Sequence, residues 1–279
     1  MTSGARSLAA WLALDHGPGD ASTWRRHGAE RRIFGGMLLA HALGAARPTV
    51  GRDRRAHSLH GSFLGAGDGR RPIGYQVERT RDGASFATRR VVATQDGTVL
   101  FTATASFHGD EDGASYELPD PPGVPGPDDV PAGRYASDLF DSRDDPEVGG
   151  GRWPHSRRAW FRPRVPLPED PALHEQALAY LSDHGPTRAV RQPHAAHPGV
   201  EGRMSVSLDH SLWLHRPARV EGWLRSELAP VATGAGRGLA LGSLRSADGT
   251  LLATVAQEAL LRLPGEVGPP LDGPGAPGI

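Results

Sequence analysis

Three residues in the second half of the chain carry side chains that their neighbours do not explain. Gln257 falls in the run Leu251, Ala253, Val255, Gln257, Ala259 and Leu261, which shares one face of a strand by the period of two. An amide on an otherwise apolar face costs a few kcal/mol unless it is hydrogen-bonded, so something in that core must partner it. Asp183 ends a helical pattern just before Gly185 and Pro186, both stop signals. A carboxylate there faces the negative pole of the helix dipole, so helix stability does not account for it. When partly buried, such a group has a raised pKa and can act as a general base toward water. Ser207 lies in the strand pattern 204–215, where Met204, Val206, Leu208, His210, Leu212 and Leu214 take one face. Ser205, Ser207, Asp209 and Ser211 take the other, and alternation alone does not say which face meets Gln257. Each residue also has a plain structural reading: a solvated turn Asp, a surface Ser, a Gln making a structural hydrogen bond.

The elements that must position them come from an internal repeat. Residues 96–105 (DGTVLFTATA) and 248–257 (DGTLLATVAQ) share one pattern, in which Asp-Gly makes a tight hairpin turn between alternating strands. The preceding strand recurs as Phe86 to Gln95 and Gly238 to Ala247, and Leu59-His60-Gly61 corresponds to Asp209-His210-Ser211. Each unit reads as one helix followed by about four strands. The helices are expected over 36–46 and 171–182, the second with Asp170 as N-cap and Pro171 at its first position. The repeat's asymmetry is informative, because Ala105 of the first half corresponds to Gln257 of the second. The organisation read from the chain is an N-terminal unit over 1–108, a connector over 109–151, a C-terminal unit over 152–263 and a disordered tail over 264–279. The connector and the tail are dense in Pro and Gly and lack periodicity.

With 279 residues, a formal net charge of −1 and 23% charged residues, the chain reads as globular, with no global signal for nucleic acid or an anionic membrane surface. It has no cysteine, which removes disulfides, thiolate nucleophiles and Cys-ligated zinc together. No apolar stretch approaches the roughly 20 residues that span a bilayer, and the start lacks a secretory signature. A cytoplasmic protein without membrane insertion is expected.

Taken in order, several segments resemble the acyl-CoA thioesterase II (TesB-like) family. They are 34–36 (FGG) leading to Ala42-Leu43, 57–60 (HSLH) with Phe63-Leu64, 81–90 (RDGASFATRR) and 104–107 (TASF). In the second half they are 179–183 (AYLSD), 208–217 (LDHSLWLHRP), Arg237-Gly238 and Gln257-Glu258. The resemblance implies an α+β double hotdog fold, two helices each wrapped by a curled antiparallel sheet with the sheets paired. It implies hydrolysis of acyl-CoA to free acid and CoA, without metal or cofactor, by a water held between Asp183, Ser207 and Gln257. Gly35, Gly36, His57 and His60, in the matching segments, are the candidate substrate-binding residues. The oxyanion donors stay unassigned beyond backbone N–H groups at a helix N-terminus, which Gly35 and Gly36 would let a substrate approach. Two departures stand out: Met37 replaces the family's usual Gln after Gly-Gly, and Ser207 replaces its more common Thr.

By alternation His57 and His60 fall on opposite faces, a poor metal pair, and His194 and His197 read as solvated loop residues. Arg52, Arg54 and Arg55 suit either CoA phosphates or a solvated turn. No Gly-x-Ser-x-Gly elbow is present, against an α/β-hydrolase. Two other functions remain open: a hotdog hydratase or dehydratase, for which Asp209 and His210 are the nearest pair, and a non-catalytic acyl-CoA-binding protein. A homo-oligomer, most simply a dimer formed by further sheet pairing, is expected.

Overall fold

The structure, a computed structural model, describes residues 7–25, 32–145, 155–197, 205–217 and 219–262. The first half runs α1 (Leu8–Leu12), β1 (Asp15–His16), β2 (Ala21–Trp24), α2 (Gly35–Ala46), β3 (Arg54–Phe63), β4 (Ile73–Asp82), β5 (Phe86–Gln95) and β6 (Thr98–Gly109). The second half opens with β7 (Phe140–Asp145), β8 (Arg157–Pro163), α3 (Pro171–Ser182) and α4 (Pro186–Arg191). It closes with β9 (Val206–Ser207), β10 (Asp209–Leu214), β11 (Leu224–Gly234), β12 (Arg237–Ser246) and β13 (Leu251–Leu260).

All pairings are antiparallel, in the order β1-β2-β4-β5-β6-β3-β10-β13-β12-β11-β8-β7, with β9 also on β13. Exchanging the halves turns that order into its own reverse, so a pseudo-two-fold axis passes between β3 and β10. Those two strands pair from Asp209↔Ser62 to Trp213↔Ser58 and join the sheets edge to edge. The fold is α+β and double hotdog. Helix α2 is buried from Gly36 to Ala46, which a helix clasped by a curled sheet must be. Helices α2 and α3 lie against each other, so each helix's ends meet residues of the other half.

The two expected helices form, and Asp170 caps α3 by accepting from the Ala172 N–H at 3.0 Å. The strand preceding each helix, β2 and β8, escapes the sequence pattern. The first is only four residues long, and the second (RRAWFRP) is dominated by arginine. The stretch read as an irregular connector is not uniformly so, because β7 lies within it and pairs with β8. Its remainder is anchored: the Asp120 carboxylate accepts from Arg225 and lies 3.6 Å from Arg245, and Leu118 O accepts from Arg245 at 2.7 Å. The tail 264–279 and Met204 lie outside the described residues. Among the described residues no helix is long and apolar enough to cross a membrane.

Candidate active site

Gln257 is fully buried on β13, and its amide is partnered at both ends. Nε2 donates to Ser207 Oγ at 2.8 Å and also reaches the Asp183 carboxylate. Oε1 accepts from His210 Nδ1 at 2.5 Å. Strict alternation would put Ser207 and His210 on opposite faces, yet both meet Gln257. The reason is a break at Leu208. Ser207 pairs with Ala259 and Ser211 with Ala256, so four steps on one strand span three on the other. This is a β-bulge, which leaves one ladder donor without its usual acceptor. The Asp209 side chain fills that role, accepting from the Glu258 N–H at 2.9 Å, while the Leu208 N–H donates to Glu258 O.

Asp183 is the C-cap of α3, and the local opposition of its own helix dipole is real. What holds it there is the other half of the molecule. Helix α2 begins at Gly35 without a side-chain cap, and the Asp183 carboxylate accepts from the Gly36 N–H. The carboxylate thus sits at the positive end of α2, serving as a cap supplied from 147 residues away in sequence (183 − 36). The contact is close enough to require glycine. A Cβ on Gly35 would stand 2.7 Å from Asp183 Oδ2 and 2.9 Å from Phe63 Cε1, and one on Gly36 would strike the Tyr180 carbonyl and the Phe34 ring.

Burial pushes the Asp183 carboxyl up to about 7, and the hydrogen bonds from Gln257 and Gly36 only partly counter it. Asp183 Oδ1 is buried and has no hydrogen-bond partner among the described residues. The arrangement is therefore a proton-accepting carboxylate with one open oxygen, beside a hydroxyl and an amide N–H. A small molecule with two protons to give, such as water, fits its chemistry.

Of the other candidates, Gly35 and Gly36 belong to this site and His57 and His60 do not. Alternation placed the two histidines on opposite faces, but a bulge between Ala56 and Ser58 inserts His57 as an extra residue and turns both outward. His57 bonds Ser106 Oγ at 2.8 Å, and His60 bonds Ser211 Oγ at 3.0 Å beside the exposed Trp213. His60, Ser211 and Ala256 are register partners, so His60 faces away from Gln257. Arg54 is tied to the carbonyls of Gly83 and Ala84, and Arg55 to Asp110. Met37 is buried in the wall of a cavity of about 320 Å³, shared with Trp11, Trp24, Leu139 and the same Phe34 and Tyr180 that crowd Gly36.

Sequence reasoning missed the role of His210 and Ser182. His210 Nε2 lies 2.8 Å from Ser182 Oγ, which is 2.8 Å from Ala179 O. The signal was present: His210, like Gln257, is a polar residue in an otherwise apolar alternation.

Known proteins show the same two-part organisation. A model of the acyl-CoA thioesterase N-terminal domain matches residues 22–108, and one of the acyl-CoA thioesterase C-terminal domain matches 111–261. The chain is 32% identical to human acyl-coenzyme A thioesterase 8 over 85% of its own length and 82% of that protein's. It is 33% identical to acyl-CoA thioesterase 2 of Haemophilus influenzae, over 83% and 88% of the two chains. Among solved structures, the acyl-CoA thioesterase II TesB2 of Mycobacterium marinum superposes with a TM-score of 0.82 at 37% identity, covering 92% of this chain and 99% of that one.

Proposed function

The chain belongs to the acyl-CoA thioesterase family, and from that premise we propose that it hydrolyses acyl-CoA with a water activated by Asp183 and held by Ser207, the Gln257 amide fixing both side chains. The observation that carries the reading is the buried, unpartnered Oδ1 of an Asp183 carboxylate that shares the Gln257 amide with the Ser207 hydroxyl. Water gives one proton toward Asp183 and the other to a lone pair of Ser207 Oγ, which leaves an oxygen lone pair aimed at the thioester carbonyl. Asp183 accepts the proton as the carbon–oxygen bond forms, and the carbonyl becomes a tetrahedral oxyanion. The Gly36 N–H is engaged by Asp183, so the Gly35 N–H, at a position with no acceptor inside the helix, is the donor available to that oxyanion. Collapse breaks the carbon–sulfur bond, and the CoA sulfur takes up the proton from Asp183. The products are a carboxylic acid and CoA, with no acyl-enzyme and no metal or cofactor. The cavity beside α2, where Met37 and the Trp11 and Trp24 rings share the wall with Arg32, Ser137 and Asp138, offers room for the acyl group.

Of the alternatives, a hydratase needs an acid–base pair that converges. Asp209 is exposed and bonded to the Glu258 N–H, whereas His210 is buried on the opposite face. The test is thiol release from acyl-CoAs of increasing chain length, with Asp183→Asn and Gln257→Ala run beside the wild type. Wild-type turnover that falls at least ~100-fold in both folded variants is expected. Binding of acyl-CoA without turnover would instead favour a non-catalytic acyl-CoA-binding protein.

A further inference from the structure

The Gln257 amide can serve Asp183 and Ser207 in only one orientation. With Nε2 outward it donates a proton to each; turned over, its carbonyl oxygen would face a carboxylate, acceptor against acceptor. Neither Asp183 nor Ser207 alone excludes the reversed amide once Asp183 is protonated, because a carboxylic acid can donate to that oxygen. The group on the far side of the amide decides.

That group is His210, fully buried between Gln257 Oε1 (2.5 Å from Nδ1) and Ser182 Oγ (2.8 Å from Nε2). We infer that His210 is a positioning residue whose Nδ1–H holds the Gln257 amide with its NH₂ toward Ser207 and Asp183. Burial pushes the His210 ring down to about 4, so at neutral pH it carries a single proton. Two networks are then self-consistent. In one, the Ser182 hydroxyl, 2.8 Å from both acceptors, shares its proton between Ala179 O and Nε2, Nδ1–H donates to Oε1, and the amide offers both protons to the site. In the other, Ser182 donates to Ala179 O and Nε2–H to Ser182 Oγ, and Nδ1 accepts from a reversed amide whose oxygen requires a protonated Asp183. The first network stabilises the ionised, water-activating carboxylate. The groups facing this network are few: Gln257 and the neighbouring Asp209 act on His210, and Gln257 and the Gly36 N–H act on Asp183.

The inference rests on the water-activating reading above, and two substitutions test it without removing a polar side chain. The amide nitrogen of His210→Asn falls where Nδ1 stood, and that of His210→Gln falls where Nε2 stood. His210→Asn is expected to keep kcat within a few-fold of wild type and the acid limb of the pH–rate profile in place. His210→Gln is expected to lose ~10–100-fold in kcat, with KM little changed. Its acid limb should move to higher pH, because Asp183 loses a donor to its charged form. A glutamine variant as active as the asparagine one, or an unmoved acid limb in both, would overturn the positioning role. If Asp183→Asn itself keeps wild-type turnover, the water-activating reading has failed instead.

Discussion

Asp183 stands between the end of one helix and the start of another, and the balance of those two fields with burial sets its proton affinity. Burial dominates, holding the carboxyl at about 7, against 3.8 for the free group. In the proposed reaction the working form is the carboxylate, so a base at this position is protonated and idle below that pH. We expect kcat/KM for acyl-CoA to fall on the acid side as a single proton is taken up near pH 7. An acid limb near pH 4 in a stopped-time thiol assay would contradict the burial. At this scale the sequence was informative about type. Gln257 and Asp183 stood out because each breaks a local rule, apolar alternation in one case and helix-end charge in the other. Partners were not legible. The Asp183–Gly36 bond joins residues from different halves, and no local pattern announces it.

At the scale of elements, a strand's register decides which side chains meet, and two bulges decide it here. The repeat, the Asp-Gly turns and the helix α3 were readable from local signals, the recurring Asp-Gly strand pattern and the start and stop residues Asp170-Pro171 and Gly185-Pro186. The bulges at His57 and Leu208 were not, since an inserted residue leaves the local composition unchanged. Helix α3 carries another consequence of packing between halves. Glu175 is buried against β3, where it accepts from the Ala56 N–H at 3.3 Å, and burial raises its pKa from 4.5 to about 7. An acid whose folded pKa is raised favours folding fully below its unfolded pKa, and that contribution is lost as pH rises from 4.5 through about 7. Glu175→Gln keeps the acceptor and removes the buried charge. Thermal unfolding of this variant should show a gain of about 2 kcal/mol above pH 7.5 or so, and almost none near pH 4. Equal effects at both pH values would show that ionisation of Glu175 is not what limits stability.

At the scale of the whole molecule, two similar halves have divided their labour. The second supplies Asp183, Ser207 and Gln257, and the first supplies the glycine-opened helix end that receives the carboxylate. The pairing of the two sheets that the resemblance implied is made by β3 and β10, whose outer ladders satisfy each other's backbone. The segment between the halves has more structure than its Pro- and Gly-rich composition suggests. Its Asp120 faces Arg225 and Arg245, register partners on β11 and β12 whose side chains are 3% and 5% exposed. Arg225 also lies over the Trp160 ring. Asp120→Ala leaves two buried guanidinium groups short of their anion. It should lower stability by about 3 kcal/mol in denaturant unfolding while thiol release per folded molecule stays near wild type. Unchanged stability would mean that solvent already satisfies those arginines.

In the proposed reaction water, not a side chain, attacks the thioester. A single turnover with enzyme in excess, run in ¹⁸O-water and followed by mass spectrometry of product and protein, tests it directly. Direct attack puts one ¹⁸O in the carboxylic acid and none in the protein. Label incorporated into Asp183, or an acyl group trapped on it, would mean that the carboxylate is the nucleophile, and the water-activating account would be wrong.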